Sequence, residues 1–594
     1  GGDEASAGRP ASRRFSWAAA LGCAAWLLCS CGRPVDPSGL SVILVTLDTT
    51  RADRIGAFGG TAVPTPNLDA FARQGTRFDA AFAQVPLTLP SHSSILTGMY
   101  PASHGVRHNG LYRLREGEET LTARLKQQGF ATAAFVGAYV LDARFGLEQS
   151  FDVYDDIPAA RYEGGRDNLF EAQRTAEEVN ASVFRWLDRK PQGRIFLWVH
   201  YYDPHIPYAP PETGSRVLHG TGYDREISYT DSCFGDLIAR LGRDGILDRS
   251  IVVVAGDHGE GLGEHREKTH GVFLYEEALH VPLAIRAPGL VRAGRTVSGP
   301  GELVDIAPTV LDLLRLPPLA KAGGASLVPA MRSGKSTRPA FAETLMPRIE
   351  FGWSDLAMVR DARFKFIRAP RPELYDLRED PKERDNILER DPERGTALAA
   401  ALEDWAVRTA DEKAQKDAER ALSAEEEARL QSLGYLAGGG SPVGEGPAEL
   451  PDPKDRIDEG VILFEARDAL QAGRAEEAIR VFDRVLRMNP RNHLARTSRI
   501  QALIRLKRLV EAEQEGLRAV EAAKVDPGCA ATSLEKAHRV LASVYWMLGK
   551  SREAEEQYRL AVELNRSNET AAPFGGILLG AAGGMQEAMR IVED

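Results

Sequence analysis

The chain has 594 residues, of which 43% are apolar and 27% charged, and it carries a formal net charge of −11. That length exceeds one ordinary domain, and the composition is that of a folded globular chain. Basic residues are scattered apart from short clusters such as Arg13-Arg14, so neither charge nor pattern offers a footprint for DNA or RNA, and no nucleic-acid partner is expected.

In chain order, residues 1–40 read as an export segment. Arg13 and Arg14 precede an apolar run over 15–28, the size of a signal-peptide core and short of the ~20 residues that a membrane-spanning helix needs. Leu28-Cys29-Ser30-Cys31-Gly32 follows and resembles a bacterial lipobox, with cleavage before Cys31 and a lipid on its sulfur. A short buried helix or an ordinary secretory signal is the alternative. The expectation is a periplasm-facing lipoprotein of the cell envelope, and Gly32 in place of aspartate tilts it toward the outer membrane. Cys23 and Cys29 would leave with the signal, and Cys233 and Cys529 lie far apart, so no disulfide framework is indicated.

From about residue 41 to 316, apolar runs at 42–47, 132–136, 195–200 and 251–255 alternate with amphipathic stretches at 67–74, 171–187 and 228–241. Such alternation predicts an α/β fold with a mostly parallel sheet covered by helices on both faces. Sites in such sheets gather at the carboxyl ends of strands. Asp48, Asp203 and Asp257 each follow a strand-like run.

From about 338 the pattern shortens, and the runs 357–360 and 364–367 flank Asp361-Ala362-Arg363 at hairpin spacing. This predicts a small antiparallel subdomain closing a catalytic domain of residues 41–395. A charged helical segment and a Gly/Pro linker, with Gly438-Gly439-Gly440, Pro442 and Pro447, fill 396–455. The rest, 456–594, is repetitive. Ala478 and Ala512 occupy equivalent positions 34 residues apart, the period of tetratricopeptide helix pairs, and Ala554 opens a third copy. A generic helical bundle is the alternative. Repeats of this kind form concave surfaces for a peptide or protein partner.

Three segments carry chemistry. Asp48 ends the run 42–47, Asp257-His258-Gly259-Glu260 ends 251–255, and Thr88-Leu89-Pro90-Ser91-His92 opens a helical stretch. Carboxylates and an imidazole are ligands for a divalent cation, and a bound cation activates a hydroxyl nucleophile. Their order and wording resemble the sulfatase branch of the alkaline phosphatase superfamily. Residues 373–377 with Asp380-Pro381, and 304–311, resemble further elements of that family.

The resemblance implies an alkaline-phosphatase-like fold and a metal-dependent hydrolase of phosphate or sulfate esters. It makes Thr88 the nucleophile, and Asp48, Asp257, His258 and the Thr88 oxygen the metal ligands. His205 and His270 would contact or protonate ester oxygens, and Asn109 would contact the transferred group. Sulfatases oxidise a Cys or Ser, within Cys-x-Pro-Ser-Arg, to formylglycine at the Thr88 position. Threonine would give a ketone, so that aldehyde mechanism is disfavoured, and His92 stands in place of the arginine. Thr49 stands where sulfatases carry a second aspartate. Gly137-Ala138-Tyr139-Val140 lacks the lysine and histidine of arylsulfatases. Three hard oxygens and one imidazole suit Mn or Zn, with Ca or Mg as alternatives. Other readings are a phosphoryl or phosphoethanolamine transferase acting on an envelope glycan or lipid, and a non-catalytic repeat-bearing scaffold.

Overall fold

The computed structural model describes Gly1 and residues 36–157, 173–211, 218–420, 450–471, 473–490, 492–525 and 531–564. The export segment with Cys31, the glycines of the linker and Cys529 lie outside these residues. Among the described residues, no helix is long and apolar enough to cross a membrane.

Eight strands form the main sheet: β1 (Ser41–Leu47), β2 (Thr76–Phe82), β3 (Ala131–Phe135), β4 (Val153–Asp155), β5 (Ile195–Tyr201), β6 (Ser250–Gly256), β7 (His280–Arg286) and β8 (Arg295–Glu302). Their order is β4-β3-β5-β1-β6-β7-β2-β8, and only β7 pairs antiparallel with its neighbours. The expected mostly parallel sheet is present. Every residue of β1, β5 and β6 is buried. Alternate side chains therefore feed two cores, one holding Val42, Leu44, Phe196 and Trp198, the other Ile43, Val45, Leu197 and Val199.

Helices α1 (Pro66–Gln74), α2 (Thr88–Thr97), α3 (Ala176–Asp188), α4 (Tyr223–Arg243) and α5 (Ile306–Leu313) cover the faces. Helix α2 is buried at all ten positions, and its side-chain hydroxyls turn back onto the helix carbonyls, as Ser93 does to Leu89 and Thr97 to Ser93. Gly98 ends it in the left-handed conformation (φ 67°), a common C-terminal device of glycine.

A second, antiparallel sheet contains β9 (Ala340–Thr344), β10 (Leu356–Arg360), β11 (Phe364–Arg368) and β12 (Glu373–Asp376) in the order β12-β11-β10-β9. Asp361 makes the hairpin: its carboxylate accepts the N–H groups of Arg363 and Phe364 at 2.7 Å each. Helix α6 (Pro392–Thr409) packs Leu398, Leu402 and Trp405 against this sheet's Val359 and Phe366.

The C-terminal helices are α7 (Pro453–Gln471), α8 (Ala475–Met488), α9 (His493–Arg505), α10 (Leu509–Val525), α11 (Ala531–Met547) and α12 (Ser551–Leu564). They share one apolar core through Ala478, Phe482, Leu503, Ala512, Leu541 and Tyr558. Helix α7 belongs to both bodies. Its Ile457 is buried in the core of the main sheet domain, whereas Ile462, Leu463 and Ala466 open the helical core.

Candidate active site

The site follows from strand register. Leu47 pairs with Gly256 on one side and Tyr201 on the other, so Asp48 and Asp257 emerge side by side one residue past the ladder. Their backbones stay tied to it: Asp48 N–H donates to Tyr201 O at 3.0 Å, and Asp257 N–H to Leu47 O at 3.1 Å. Asp257 Oδ1 accepts the N–H groups of Thr49 (3.1 Å) and His258 (2.7 Å). Asp257 Oδ2 and both Asp48 oxygens are buried without a hydrogen-bond partner. Leaving such atoms unmatched is costly, and a cation is the usual complement.

His258 donates from Nδ1 to its neighbour's carbonyl, Gly259 O, at 2.9 Å, so its lone pair sits on Nε2. Nε2 lies 3.7 Å from Asp48 Oδ1, 3.7 Å from Asp257 Oδ2 and 3.3 Å from Thr88 Oγ1. Ligands bonded at ~2 Å to one ion stand roughly 3–3.5 Å apart, so the donor set fits a divalent cation. Asp48, Asp257 and His258 form a candidate metal cluster with ligand atoms within 4.8 Å of one another. Burial drives Asp48 and Asp257 well above the ordinary carboxylate range, with the Asp48 charge adding to the rise at Asp257, and drives His258 well below the usual imidazole range. Gly259 is required by packing: a Cβ there would lie 2.0 Å from Glu277 O.

Thr88 is the first residue of α2, and Ser91 fastens the helix to the metal-side loop by donating to Asp257 O at 2.7 Å. Asn109 Oδ1 accepts Leu89 N–H at 2.9 Å, while its buried Nδ2 has no hydrogen-bond partner. His270 lies over His258 with ring centroids 4.5 Å apart, and its Nδ1 lies 3.0 Å from Glu260 Oε1. Burial alone would lower the His270 pKa, but Glu260 and then Asp48 raise it overall. His205 meets the edge of His270 at 5.3 Å; burial and the neighbouring His270 push it down to about 3. Its Nδ1 faces Tyr202 Oη at 2.7 Å and Ile206 O at 2.8 Å.

All seven residues singled out from the sequence are thus buried in the main sheet domain. Thr88, Asp48, Asp257 and His258 converge directly, His270 and His205 extend the cluster, and Asn109 ties to the first turn of α2. Asp203 Oδ2 accepts Ala176 N–H at 2.7 Å, at the first turn of α3.

The comparisons agree with this geometry. A sulfatase family model matches residues 41–316, an N-sulphoglucosamine sulphohydrolase C-terminal model matches 263–406, and a tetratricopeptide repeat model matches 465–527. Arylsulfatase K of Bos taurus is 34% identical over 449 residues, spanning 62% of this chain and 81% of that protein. This chain belongs to the sulfatase family. A Delta 4,5-hexuronate-2-O-sulfatase of Bacteroides thetaiotaomicron is 24% identical over 435 residues, covering 62% of this chain and 89% of that one. Among solved structures, the phosphonate monoester hydrolase of Agrobacterium radiobacter superposes with a TM-score of 0.54 at 23% identity. It covers 62% of this chain and 96% of its own, and shares the fold.

Two groups of this sulfatase-family site escaped the sequence reading. Glu260 was visible only as part of Asp-His-Gly-Glu, with nothing to say that it turns toward His270. His200 reads as an apolar-strand histidine, yet its Nε2 stands 3.3 Å from Asp48 Oδ2. Period-two alternation puts it on the face of Phe196 and Trp198, toward α2, but the neighbouring strand could not be read from sequence.

Proposed function

We propose that this sulfatase-family protein hydrolyses phosphate or sulfate esters through a covalent ester on Thr88. The observation that carries the reading is the position of Thr88 Oγ1 on the first turn of α2, beside His258 Nε2 and the two orphaned carboxylates. A divalent cation held by Asp48, Asp257 and His258, with Mn or Zn preferred to Ca or Mg, would lower the pKa of the Thr88 hydroxyl and offset charge on the ester.

The chain's own groups then divide the work. Thr88 Oγ1, having lost its proton, attacks phosphorus or sulfur in line; the Oγ1–P (or –S) bond forms and the bond to the leaving oxygen breaks. His270, held by Glu260, donates a hydrogen bond to the oxygens that gain charge, and the Asn109 amide offers a second donor. His205, neutral and with its ring proton on Nδ1 facing Ile206 O, takes up the Thr88 proton through its other nitrogen and returns it to the departing oxygen. Water then cleaves the Thr88 ester and restores the hydroxyl.

Threonine favours phosphorus-centred esters over the aldehyde chemistry of formylglycine sulfatases. Phosphonate monoester hydrolases occur among the solved neighbours and sulfatases among the curated relatives, so a substrate panel should hold all three ester classes. Thr88→Ala is expected to cut kcat by roughly 10³-fold or more while metal binding persists; unchanged turnover would remove Thr88 as the nucleophile.

The same reading places the protein in the cell envelope through a lipid on Cys31, with the repeats holding a peptide or protein partner. Metabolic labelling with a fatty acid is expected to mark the wild type and not Cys31→Ala; label retained in the variant would refute the anchor.

A further inference from the structure

A second group of side chains backs the same carboxylates. His92 on α2 and His200 on β5 are fully buried, with ring centroids 4.9 Å apart, and together with Asp257 their ligand atoms fall within 4.8 Å of one another. By distance alone this is a second metal cluster. The hydrogen bonds exclude that use, because imidazole binds a metal through a lone pair and neither ring has one to give.

His92 Nδ1 lies 2.8 Å from Thr88 O, a pure acceptor, so Nδ1 carries a proton. Thr46 Oγ1 accepts Trp198 Nε1–H at 3.0 Å and can send its own proton to His92 Nε2 at 2.9 Å. Both nitrogens of His92 are then engaged. His200 Nδ1 accepts the backbone N–H of Gly137 at 3.4 Å, which leaves the ring proton on Nε2. Nε2 stands 3.3 Å from Asp48 Oδ2, a close electrostatic contact, and neither atom has a hydrogen-bond partner. The other Asp48 oxygen, Oδ1, is the one that faces His258.

We propose that His200 is a positioning residue, whose Nε2–H holds Asp48 Oδ2 from behind so that Oδ1 is presented to a single cation, and that the His92–His200 pair binds no second ion. The inference rests on the reading that Asp48 is a metal ligand. Outer donors of this kind fix the orientation of a ligand, and losing one typically costs 10–100-fold in metal affinity.

The test uses the full chain, stripped with a chelator and titrated with Mn²⁺ by calorimetry, with the bound ion followed by electron paramagnetic resonance. Two polar variants separate positioning from packing. In His200→Gln the amide N–H reaches the place of Nε2, whereas in His200→Asn it is too short to do so. The wild type is expected to bind one ion per chain. His200→Asn should weaken binding 10–100-fold and alter the resonance line shape, and His200→Gln should recover most of both. Native affinity in His200→Asn, with one ion in the wild type, would overturn the positioning role and leave the metal reading intact. Two ions per wild-type chain would overturn the single-ion claim. No ion in the wild type would remove the metal reading and this inference together.

Discussion

Thr49 shows how much the site asks of a single residue. It is β-branched yet sits at φ 46°, a conformation that costs ~1–3 kcal/mol and persists only where its surroundings enforce it. Here its N–H must reach Asp257 Oδ1 while its carbonyl accepts Tyr223 Oη–H at 2.6 Å. Its Oγ1 is buried with no hydrogen-bond partner. Aspartate tolerates the left-handed region better than threonine and would add a hard oxygen at that place. Thr49→Asp is therefore expected to tighten Ca²⁺ binding by roughly tenfold, measured by calorimetry on the stripped protein; unchanged Ca²⁺ affinity would show that the Thr49 side chain does not face the ion. At this scale the sequence exposed Asp48, Asp257 and His258, because each follows an unbroken apolar run and marks a strand end. It hid His200 and Glu260, whose roles depend on which element lies beside them.

At the scale of elements, the joint between the two sheets is a buried acid. Glu302, ending β8, accepts Phe341 N–H from β9 at 3.0 Å and Tyr100 Oη–H at 2.9 Å. Burial, and then the neighbouring Asp305, push its pKa up to about 8. A folded pKa above the unfolded carboxyl value means the folded state binds the extra proton, so the stability that this group contributes is complete below about pH 4.5 and is lost as pH rises through about 8. Glu302→Gln copies the protonated form. Its melting temperature is expected to fall less than that of the wild type between those limits; parallel curves would contradict the assignment. The central strands were legible because β1, β5 and β6 are buried on both faces and read as continuous apolar runs. Their lateral order was not, since crossover connections, rather than local pattern, set β5 and β6 on either side of β1.

For the molecule as a whole, the repeats are not a loose appendage. Gly460 on α7 lies against Trp353, where an added Cβ would come within 3.3 Å of the ring, and Ser354 N–H donates to Pro451 O at 2.9 Å. Arg266 pairs with Asp458 and Lys268 with Glu465, at 2.9 Å each, on the loop that leads to His270. Those pairs are more than half exposed on at least one side and contribute little, ~1 kcal/mol or less. Ile457, only 2% exposed within the sulfatase core, matters more. Ile457→Ala is expected to cost ~2–4 kcal/mol and to lower the calorimetric transition of the sulfatase domain. A shift confined to the repeat transition would contradict the shared core. The 34-residue echo revealed the repeats, but α7 falls before the first clear copy, so its double role had no sequence signal.

The most direct measurement of the central claim is chemical trapping. Rapid acid quench of the metal-loaded enzyme with an activated phosphate ester, followed by proteolysis and mass spectrometry, is expected to find one phosphoryl group on the peptide containing Thr88 and none on that peptide from Thr88→Ala. Turnover with no label on Thr88, or a label on another residue, would contradict it.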